Sequence, residues 1–133
     1  MKNKVVFTNG CFDIIHRGHL ELLKYCKSIG DEVIVGINSD KSIKKLKGND
    51  RPINKEQDRL FLLQSLKYVD KVIIFDEDTP YNLIKEIKPD IIVKGNDYTK
   101  ETVVGKEFSE VIIFDKVDGY STTQTIQSIT NRR

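Results

Sequence analysis

The sequence predicts an α/β fold, in which a five-stranded parallel sheet carries helices on both of its faces. Five short runs are apolar and β-branched almost without interruption, which is typical of strands that are covered on both sides. Segments with helical patterns alternate with these runs, as in folds built from strand–helix–strand units. A chain of 133 residues is too short for a second independent core. We therefore expect a single domain over residues 1–133.

The predicted strands share Val- and Ile-rich sequences of six to eight residues, and they span residues 4–9, 31–38, 70–75, 89–95 and 109–115. Ligands of such sheets bind outside the carboxyl ends of the strands. The segments at those ends, including residues 38–57, are interpreted as loops rich in Gly, Asn, Asp, Ser, Thr and Lys. This composition favours phosphate and hydroxyl binding.

Four helices are predicted between and after the strands, over residues 18–30, 54–69, 79–89 and 120–131. Gly30 is expected to end the first of them in a left-handed conformation. Asn54, with Gln57 three residues later, predicts a capping box at the start of the second. Thr79 is the predicted N-cap of the third, with Pro80 in its first turn.

The overall composition excludes several classes of protein. Net charge is +2, from 22 basic and 20 acidic residues, so the whole chain gives no reason to expect a nucleic-acid partner. No apolar run approaches the length of a membrane span or of a secretory signal. Cys11 and Cys26 are too few for a disulfide framework. We expect a cytoplasmic protein with no membrane or nucleic-acid partner, in which Cys26 packs in a helix and Cys11 in a turn.

The two histidines of the chain, His16 and His19, lie together where the first strand leads into a helix. One interpretation is structural, with one ring capping the helix and the other buried in the core. The other is a phosphate site, because free N–H groups and the dipole of a helix start attract anions. Gly18 allows close approach, and an imidazole with a pKa near 6.5 donates hydrogen bonds and becomes a cation as negative charge builds up. The position of both histidines at this turn favours the phosphate site.

The segment NGCFDIIHRGH resembles the HxGH signature of the nucleotidyltransferase superfamily, in its cytidylyltransferase-like branch. The segments VGINSD, KGNDRPIN, EQDR, VKGND and GYSTTQTI follow in the order of that branch, so the resemblance covers nearly the whole chain. It is closest to the nucleotidyltransferase domain of ADP-heptose synthases and next to glycerol-3-phosphate cytidylyltransferases. The resemblance implies a Rossmann-like sheet, a nucleotidyltransferase activity and a homodimer.

The resemblance also implies roles for individual residues. His16 and His19 would be catalytic and would bind the triphosphate, and Lys47 would assist. The other implied nucleotide-binding residues lie in the first turn, the lysine-rich segment, the end of the fourth strand and the last helix start: Thr8, Asn9, Gly10, Phe12, Gly18, Lys44, Gly95, Asp97, Ser121, Thr122 and Thr123. Implied acceptor-binding residues are Asp40, Lys47, Arg51 and Arg59.

Each of these roles has a structural alternative. Lys44 and Lys47 could belong to a solvated loop, and Arg59 could form a surface pair with Asp58 or Glu56, which contributes about 0–1 kcal/mol. Asp97 could form an Asx-turn. The hydroxyls of residues 121–123 could simply cap the last helix, although capping and phosphate binding are compatible.

Mg²⁺ is the expected cofactor, resting on substrate phosphates because the sequence contains no dedicated carboxylate cage. No protein metal ligand is predicted, and Asp13 in the first loop is interpreted as a structural hydrogen-bond acceptor.

The implied reaction joins a nucleoside triphosphate to a phosphorylated sugar or polyol and releases pyrophosphate. Heptose 1-phosphate with ATP is the first candidate pair, and glycerol 3-phosphate with CTP is the alternative. The chain has no room for a further kinase domain, so we expect a stand-alone transferase or an enzyme that serves a different phosphorylated acceptor. Two other functions compete with this one: a regulatory nucleotide-binding module without turnover, and an RNA-binding protein that uses residues 41–51. The intact HxGH and STT segments argue against the regulatory module. The small number of aromatic residues in the segment argues against RNA binding, because bases stack on aromatic side chains.

Overall fold

The computed structural model describes residues 3–115 and 122–131, and it confirms a five-stranded, all-parallel sheet with the order β3-β2-β1-β4-β5. The strands are β1 Val5–Gly10, β2 Glu32–Asn38, β3 Lys71–Phe75, β4 Ile91–Gly95 and β5 Glu110–Phe114. The helices are α1 Arg17–Ile29, α2 Asp40–Lys47, α3 Glu56–Gln64, α4 Tyr81–Ile87 and α5 Thr122–Asn131, with a 3₁₀ turn at Lys100–Thr102. None of the helices within the described ranges has the length and apolarity needed to cross a lipid bilayer.

Apolar side chains cover both faces of the sheet, as the uninterrupted apolar strands predict. Successive residues of β1 point to opposite faces, so that Val6 belongs to one core and Phe7 to the other. Leu23 of α1 and Leu63 of α3 pack in the first core, and Ile84 of α4 packs in the second. This double cover explains why no strand shows an alternating polar face.

Helix α2 corrects the prediction of a loop over residues 38–57. Ser39 caps this helix by accepting a hydrogen bond from the backbone N–H of Ser42 at 3.2 Å, and Ile43 is fully buried. The helical pattern of this segment is weak, because only Ile43 and Leu46 are large and apolar among its lysines. A Ser followed by apolar residues three apart is the signal that could have predicted the helix.

Two predicted helix starts are also wrong. The N-cap of α3 is Lys55, without a side-chain cap, because the amide groups of Asn54 are held by Asp13 outside the helix. The N-cap of α4 is Pro80, one residue after the predicted Thr79. The difference at α3 arises because tertiary contacts between Asn54 and Asp13, absent from a local pattern, fix the chain.

Gly30 is extended rather than left-handed, with φ −148° and ψ 174°. A Cβ at this position would collide with Cγ2 of Val6 and would lie 3.0 Å from the backbone oxygen of Lys4. The glycine is therefore required by the close approach of the α1–β2 connection to β1, and not by its backbone angles.

We expect Gly30→Ala to lower the free energy of unfolding by about 1–3 kcal/mol, because the added methyl group overpacks the contact with Val6. Urea denaturation followed by circular dichroism measures the change. Lys24→Ala, on the exposed side of α1, is the matched control and should change stability little. Equal stability of Gly30→Ala and the wild type would contradict the close approach.

Candidate active site

A cavity of about 570 Å³ opens at the carboxyl end of the sheet, where β1 and β4 separate. The two strands pair only at Val6–Ile91 and Phe7–Ile92, although β1 continues to Gly10 and β4 to Gly95. The strand order changes direction at this point of the sheet, which is where ligands of open α/β sheets bind.

The structure brings most of the predicted site residues to this cavity. Its lining includes Thr8, Asn9, Gly10, Phe12, His16, Gly18, His19, Lys47, Arg51, Gly95, Asp97 and Thr123. These residues are far apart in the chain, and they meet because the loops after β1, α2 and β4 and the start of α5 share one edge of the sheet. Their contacts with substrate stay predictions.

A few predicted residues lie elsewhere. Lys44 is exposed on α2 and does not line the cavity, and neither do Asp40 and Arg59. Ser121 lies outside the described residues, as does the side chain of Thr122, whose backbone begins α5.

The two histidines form a capping box at the start of α1. Nδ1 of His16 accepts a hydrogen bond from the backbone N–H of Gly18 at 3.1 Å, and Nδ1 of His19 accepts one from the backbone N–H of His16 at 3.2 Å. Since Nδ1 is the acceptor in each ring, the neutral imidazole carries its proton on Nε2. Both rings therefore have an Nε2–H donor and both line the cavity.

The rings of Phe12, His19 and His16 pack in series, with His19 stacked on His16 and Phe12 tilted against His19. The ring centroids of Phe12 and His19 are 4.8 Å apart, and those of His19 and His16 are 3.9 Å apart. Phe12 is buried and has a φ of +48°, a conformation that is rare for a bulky side chain. Strained backbone of this kind is typical of functional turns, and here it places the aromatic ring against His19.

His19 differs from the ordinary imidazole expected from the sequence. Burial, assisted by the neighbouring His16, lowers the pKa of His19 to about 3. His19 is thus a neutral hydrogen-bond donor at physiological pH. The sequence-based expectation that this imidazole becomes a cation does not hold for the free protein.

Asp13 is the structural acceptor that the sequence predicts. Its carboxylate is 1% exposed and accepts hydrogen bonds from the backbone N–H groups of Ile53 at 2.8 Å and Asn54 at 2.7 Å. Nε of Arg51 lies 3.4 Å from the same carboxylate. Asp13 therefore fixes the segment that presents Arg51 to the cavity.

Arg59 is fully buried and connects three segments of the site. Its guanidinium donates to the backbone oxygens of Cys11 at 2.9 Å, Asn38 at 2.6 Å and Asn54 at 3.0 Å, and to Oδ1 of Asp40 at 2.9 Å. The alternative of a surface ion pair is wrong. Its geometry gives Arg59 a positioning role, and the acceptor contacts predicted for Arg59 and Asp40 gain no support from their positions.

Sequence reasoning missed Lys94 as a site residue. Lys94 is the penultimate residue of β4, is 8% exposed and lines the cavity beside Asn9 and Tyr98. Burial lowers its pKa to about 8, although Asp97 and Cys11 act in the opposite direction. A lone lysine at the end of an apolar strand is the signal that could have identified it.

The cysteines behave as the sequence predicts. Cys26 is fully buried in the core under α1, and burial raises its pKa to about 12. Burial also raises the pKa of Cys11, so its thiol stays protonated near neutral pH. Within the described ranges, no group of three or more His, Cys, Asp or Glu side chains could hold a metal ion.

We expect Arg59→Met to lower the free energy of unfolding by about 3 kcal/mol, because three backbone oxygens and a carboxylate lose their donor. Thermal and urea denaturation measure the loss. Arg17→Met removes an exposed pair with Glu21 and should change stability by less than about 1 kcal/mol. Similar effects of the two substitutions would refute the role of Arg59.

We expect the imidazole of His19 to remain neutral down to about pH 4.5, with its proton on Nε2, as measured by ¹⁵N NMR. The folded-state pKa lies below the ordinary 6.5, so the unfolded chain binds a proton that the folded chain excludes between pH 6.5 and 3. The stability that this group contributes is present above pH 6.5 and is lost as pH falls through that window. His19→Gln should remove this dependence, and a wild-type midpoint near 6.5 for His19 would contradict the burial.

Comparison with known proteins gives the family. A family model described as cytidylyltransferase-like matches residues 7–132. Proteins named "Bifunctional protein HldE" are 59% identical over 126 residues in Campylobacter fetus and 53% identical over 129 residues in Helicobacter pylori. These matches cover 94% and 96% of this chain, which spans 28% of the length of each relative.

Solved structures support the same assignment. A lipopolysaccharide core biosynthesis protein from Thermoplasma volcanium has a TM-score of 0.77 and 33% identity, covering 88% of this chain and 100% of that chain. A pantoate-beta-alanine ligase from Francisella tularensis, at 17% identity and a TM-score of 0.62, covers 98% of this chain and 72% of its own and shares the fold. The chain belongs to the cytidylyltransferase-like family of nucleotidyltransferases, as the HxGH and STT segments predicted.

Proposed function

We propose that this cytidylyltransferase-like chain transfers a nucleoside monophosphate from a nucleoside triphosphate to a phosphorylated sugar. ATP and heptose 1-phosphate are the favoured substrates. The observation that supports this reaction best is that His16 and His19 both line one cavity while their Nδ1 atoms cap α1, so that Nε2–H is the donor of each ring.

The reaction requires alignment and charge stabilisation rather than a protein nucleophile. An oxygen of the acceptor phosphate attacks the α-phosphorus, the bond from that phosphorus to the bridging oxygen breaks, and pyrophosphate leaves with its electron pair. Because the acceptor is already an anion, no general base is needed for the attack. Fixed donors such as the imidazole Nε2–H groups stabilise the charge that accumulates on the phosphate oxygens.

Cationic side chains around the cavity offset the repulsion between the two phosphate groups. Lys47, the last residue of α2, and Arg51, in the loop that follows, lie on its lining, and Lys94 lies on the side of β4. A positive potential in a partly enclosed cavity attracts polyphosphate and strengthens its binding. These three residues and the histidines surround a volume that suits a nucleotide, because ligand pockets commonly measure about 300–1,000 Å³.

The donor set fits a Mg²⁺ ion that arrives on the triphosphate. Asp78 and Asp97 are the carboxylates that line the cavity, and we propose them as the residues able to support the ion or its water ligands. When bound, Mg²⁺ neutralises part of the triphosphate charge and supplies a Lewis acid.

The comparisons support a cell-envelope sugar phosphate as the acceptor. The relatives in Campylobacter fetus and Helicobacter pylori share the name HldE, and the Thermoplasma protein is named for lipopolysaccharide core biosynthesis. The sequence resemblance to ADP-heptose synthases favours heptose 1-phosphate within this class.

We also propose the homodimer that the resemblance implies. Phe61 and Leu62 on α3 are 69% and 43% exposed, and apolar side chains of this kind favour association. Light scattering coupled to size-exclusion chromatography measures the mass, and a monomer at all concentrations would refute the dimer.

A substrate panel tests the function directly. ATP, CTP, GTP and UTP are each combined with heptose 1-phosphate and glycerol 3-phosphate in the presence of Mg²⁺, and pyrophosphate release is measured. Fastest release with ATP and heptose 1-phosphate is expected. Preference for CTP and glycerol 3-phosphate would favour the cytidylyltransferase alternative, and no release with any pair would overturn the proposed transfer.

We expect His16→Ser to lower kcat by about 10²–10³-fold, because the hydroxyl of Ser still caps α1 but cannot reach the transferred phosphate. Steady-state pyrophosphate release with the best substrate pair measures the effect. Arg17→Ser, at the next and exposed position, is the matched control and should retain activity. A kcat for His16→Ser close to that of the wild type would exclude a catalytic imidazole.

A further inference from the structure

Lys94 spans the gap between β1 and β4 beyond the last paired residues. Its Nζ donates to the backbone oxygen of Asn9 at 2.9 Å and lies 3.3 Å from Oδ1 of the same residue. The pairing of the two strands ends at Phe7 and Ile92, two residues before Asn9 and Lys94. A side chain therefore replaces the backbone ladder at the point where the cavity opens.

The environment of Lys94 is costly for a cation. The ammonium group is buried, and the ring of Tyr98 covers it with its centroid 4.5 Å from Nζ. Removing a cation from water costs free energy that the hydrogen bonds to Asn9 and the cation–π contact with Tyr98 offset only in part. An apolar side chain would fill this strand position at lower cost, so stability alone does not account for a lysine here.

The turn after Asn9 is held from two sides. Lys94 binds Asn9, and Arg59 binds the backbone oxygen of Cys11 two residues later. Gly10 lies between them and lines the cavity, and the turn leads through Phe12 to the histidine stack. Displacement of Asn9 would therefore move the backbone that faces the phosphates.

We propose that Lys94 is a positioning residue, whose ammonium group holds Asn9 and the following turn in the orientation that binds the nucleoside triphosphate. This inference rests on the proposed function for its ligand, but the hydrogen bonds from Lys94 that fix the turn exist in the free protein. It requires no change in the reaction and no contact between Lys94 and the transferred phosphate.

The strength of the bonds from Lys94 to Asn9 depends on pH in a range that experiments can reach. Burial lowers the pKa of Lys94 to about 8. The ionisable groups that face it are Asp97 and Tyr98 from the loop after β4 and Cys11 from the loop after β1, and its partner on β5, Ile113, is not ionisable. Loss of the proton near pH 8 weakens the charge-assisted bonds to Asn9.

The first experiment follows the full-length protein without substrate by NMR. The Lys94 ¹³Cε resonance should titrate near pH 8, and the amide of Gly10 and the side-chain amide of Asn9 should shift with the same midpoint. Lys94→Met should abolish this shared transition. Lys71→Met, a lysine-to-methionine change at an exposed position of β3, should leave it intact.

The second experiment measures ATP and CTP binding by calorimetry and turnover with the best acceptor. For Lys94→Met we expect at least tenfold weaker nucleotide binding and up to a hundredfold loss of kcat/KM, because small displacements of positioning groups have effects of about this size. The wild-type rate should fall above about pH 8 as Lys94 loses its proton, and this dependence should vanish in the variant. The Tm of Lys94→Met should stay within about 3 °C of the wild type, since the relieved cost of burying a cation offsets the hydrogen bonds to Asn9 that are lost.

The outcomes separate the possible roles. The inference would be overturned if Lys94→Met bound nucleotide as tightly as the wild type. It would also be overturned if the amide chemical shift of Gly10 did not change as Lys94 titrates. Weaker binding with an unshifted Gly10 in the free variant would indicate direct contact with the ligand and would also overturn it. Absence of pyrophosphate release from the wild type would overturn the proposed function alone, because the NMR and binding measurements need no acceptor.

Discussion

The separation of β1 from β4 is the constraint on which the site depends. β1 pairs with β2 along its six residues but with β4 only at Val6 and Phe7. The change of strand order at this position leaves backbone groups of both strands facing a crevice instead of each other. The groups that line the crevice come from the unpaired strand ends and from the loops that follow them, which the β1–β4 ladder does not support. The surrounding side chains therefore serve first to hold those loops in place.

Buried ionised side chains provide this support. Asp13 holds the segment that carries Arg51, Arg59 joins the ends of β1 and β2 to the start of α3, and Lys94 bridges β4 to Asn9. Each of the three bonds to backbone groups, so that a charge is desolvated in order to fix a piece of main chain. Apolar contacts alone could not do this, because they do not orient individual carbonyl and amide groups. The site gains its rigidity at a local cost in stability.

The histidine turn reconciles the two interpretations that its sequence permits. His16 and His19 cap α1 through Nδ1, and the same bonds direct the proton of each neutral ring to Nε2. Capping of α1 therefore prepares the rings for phosphate binding, since a ring held in one tautomer presents its Nε2–H donor in a fixed direction. Phe12 completes this arrangement by packing its ring, tilted by 45°, against His19. A neutral His19 contributes oriented dipoles rather than a cation, which suits a cavity that already contains lysine and arginine.

The sequence by itself determined the parallel sheet, its five strands and the family, because continuous apolar runs and the HxGH and STT segments are visible in the order of the residues alone. It also identified most of the residues that line the cavity, since loops at one edge of a sheet must meet. Only the tertiary structure decided the extended Gly30, the buried positions of Arg59 and Lys94 and the neutrality of His19. These properties depend on which distant groups approach a side chain and exclude water from it, and no local pattern of residues contains that information.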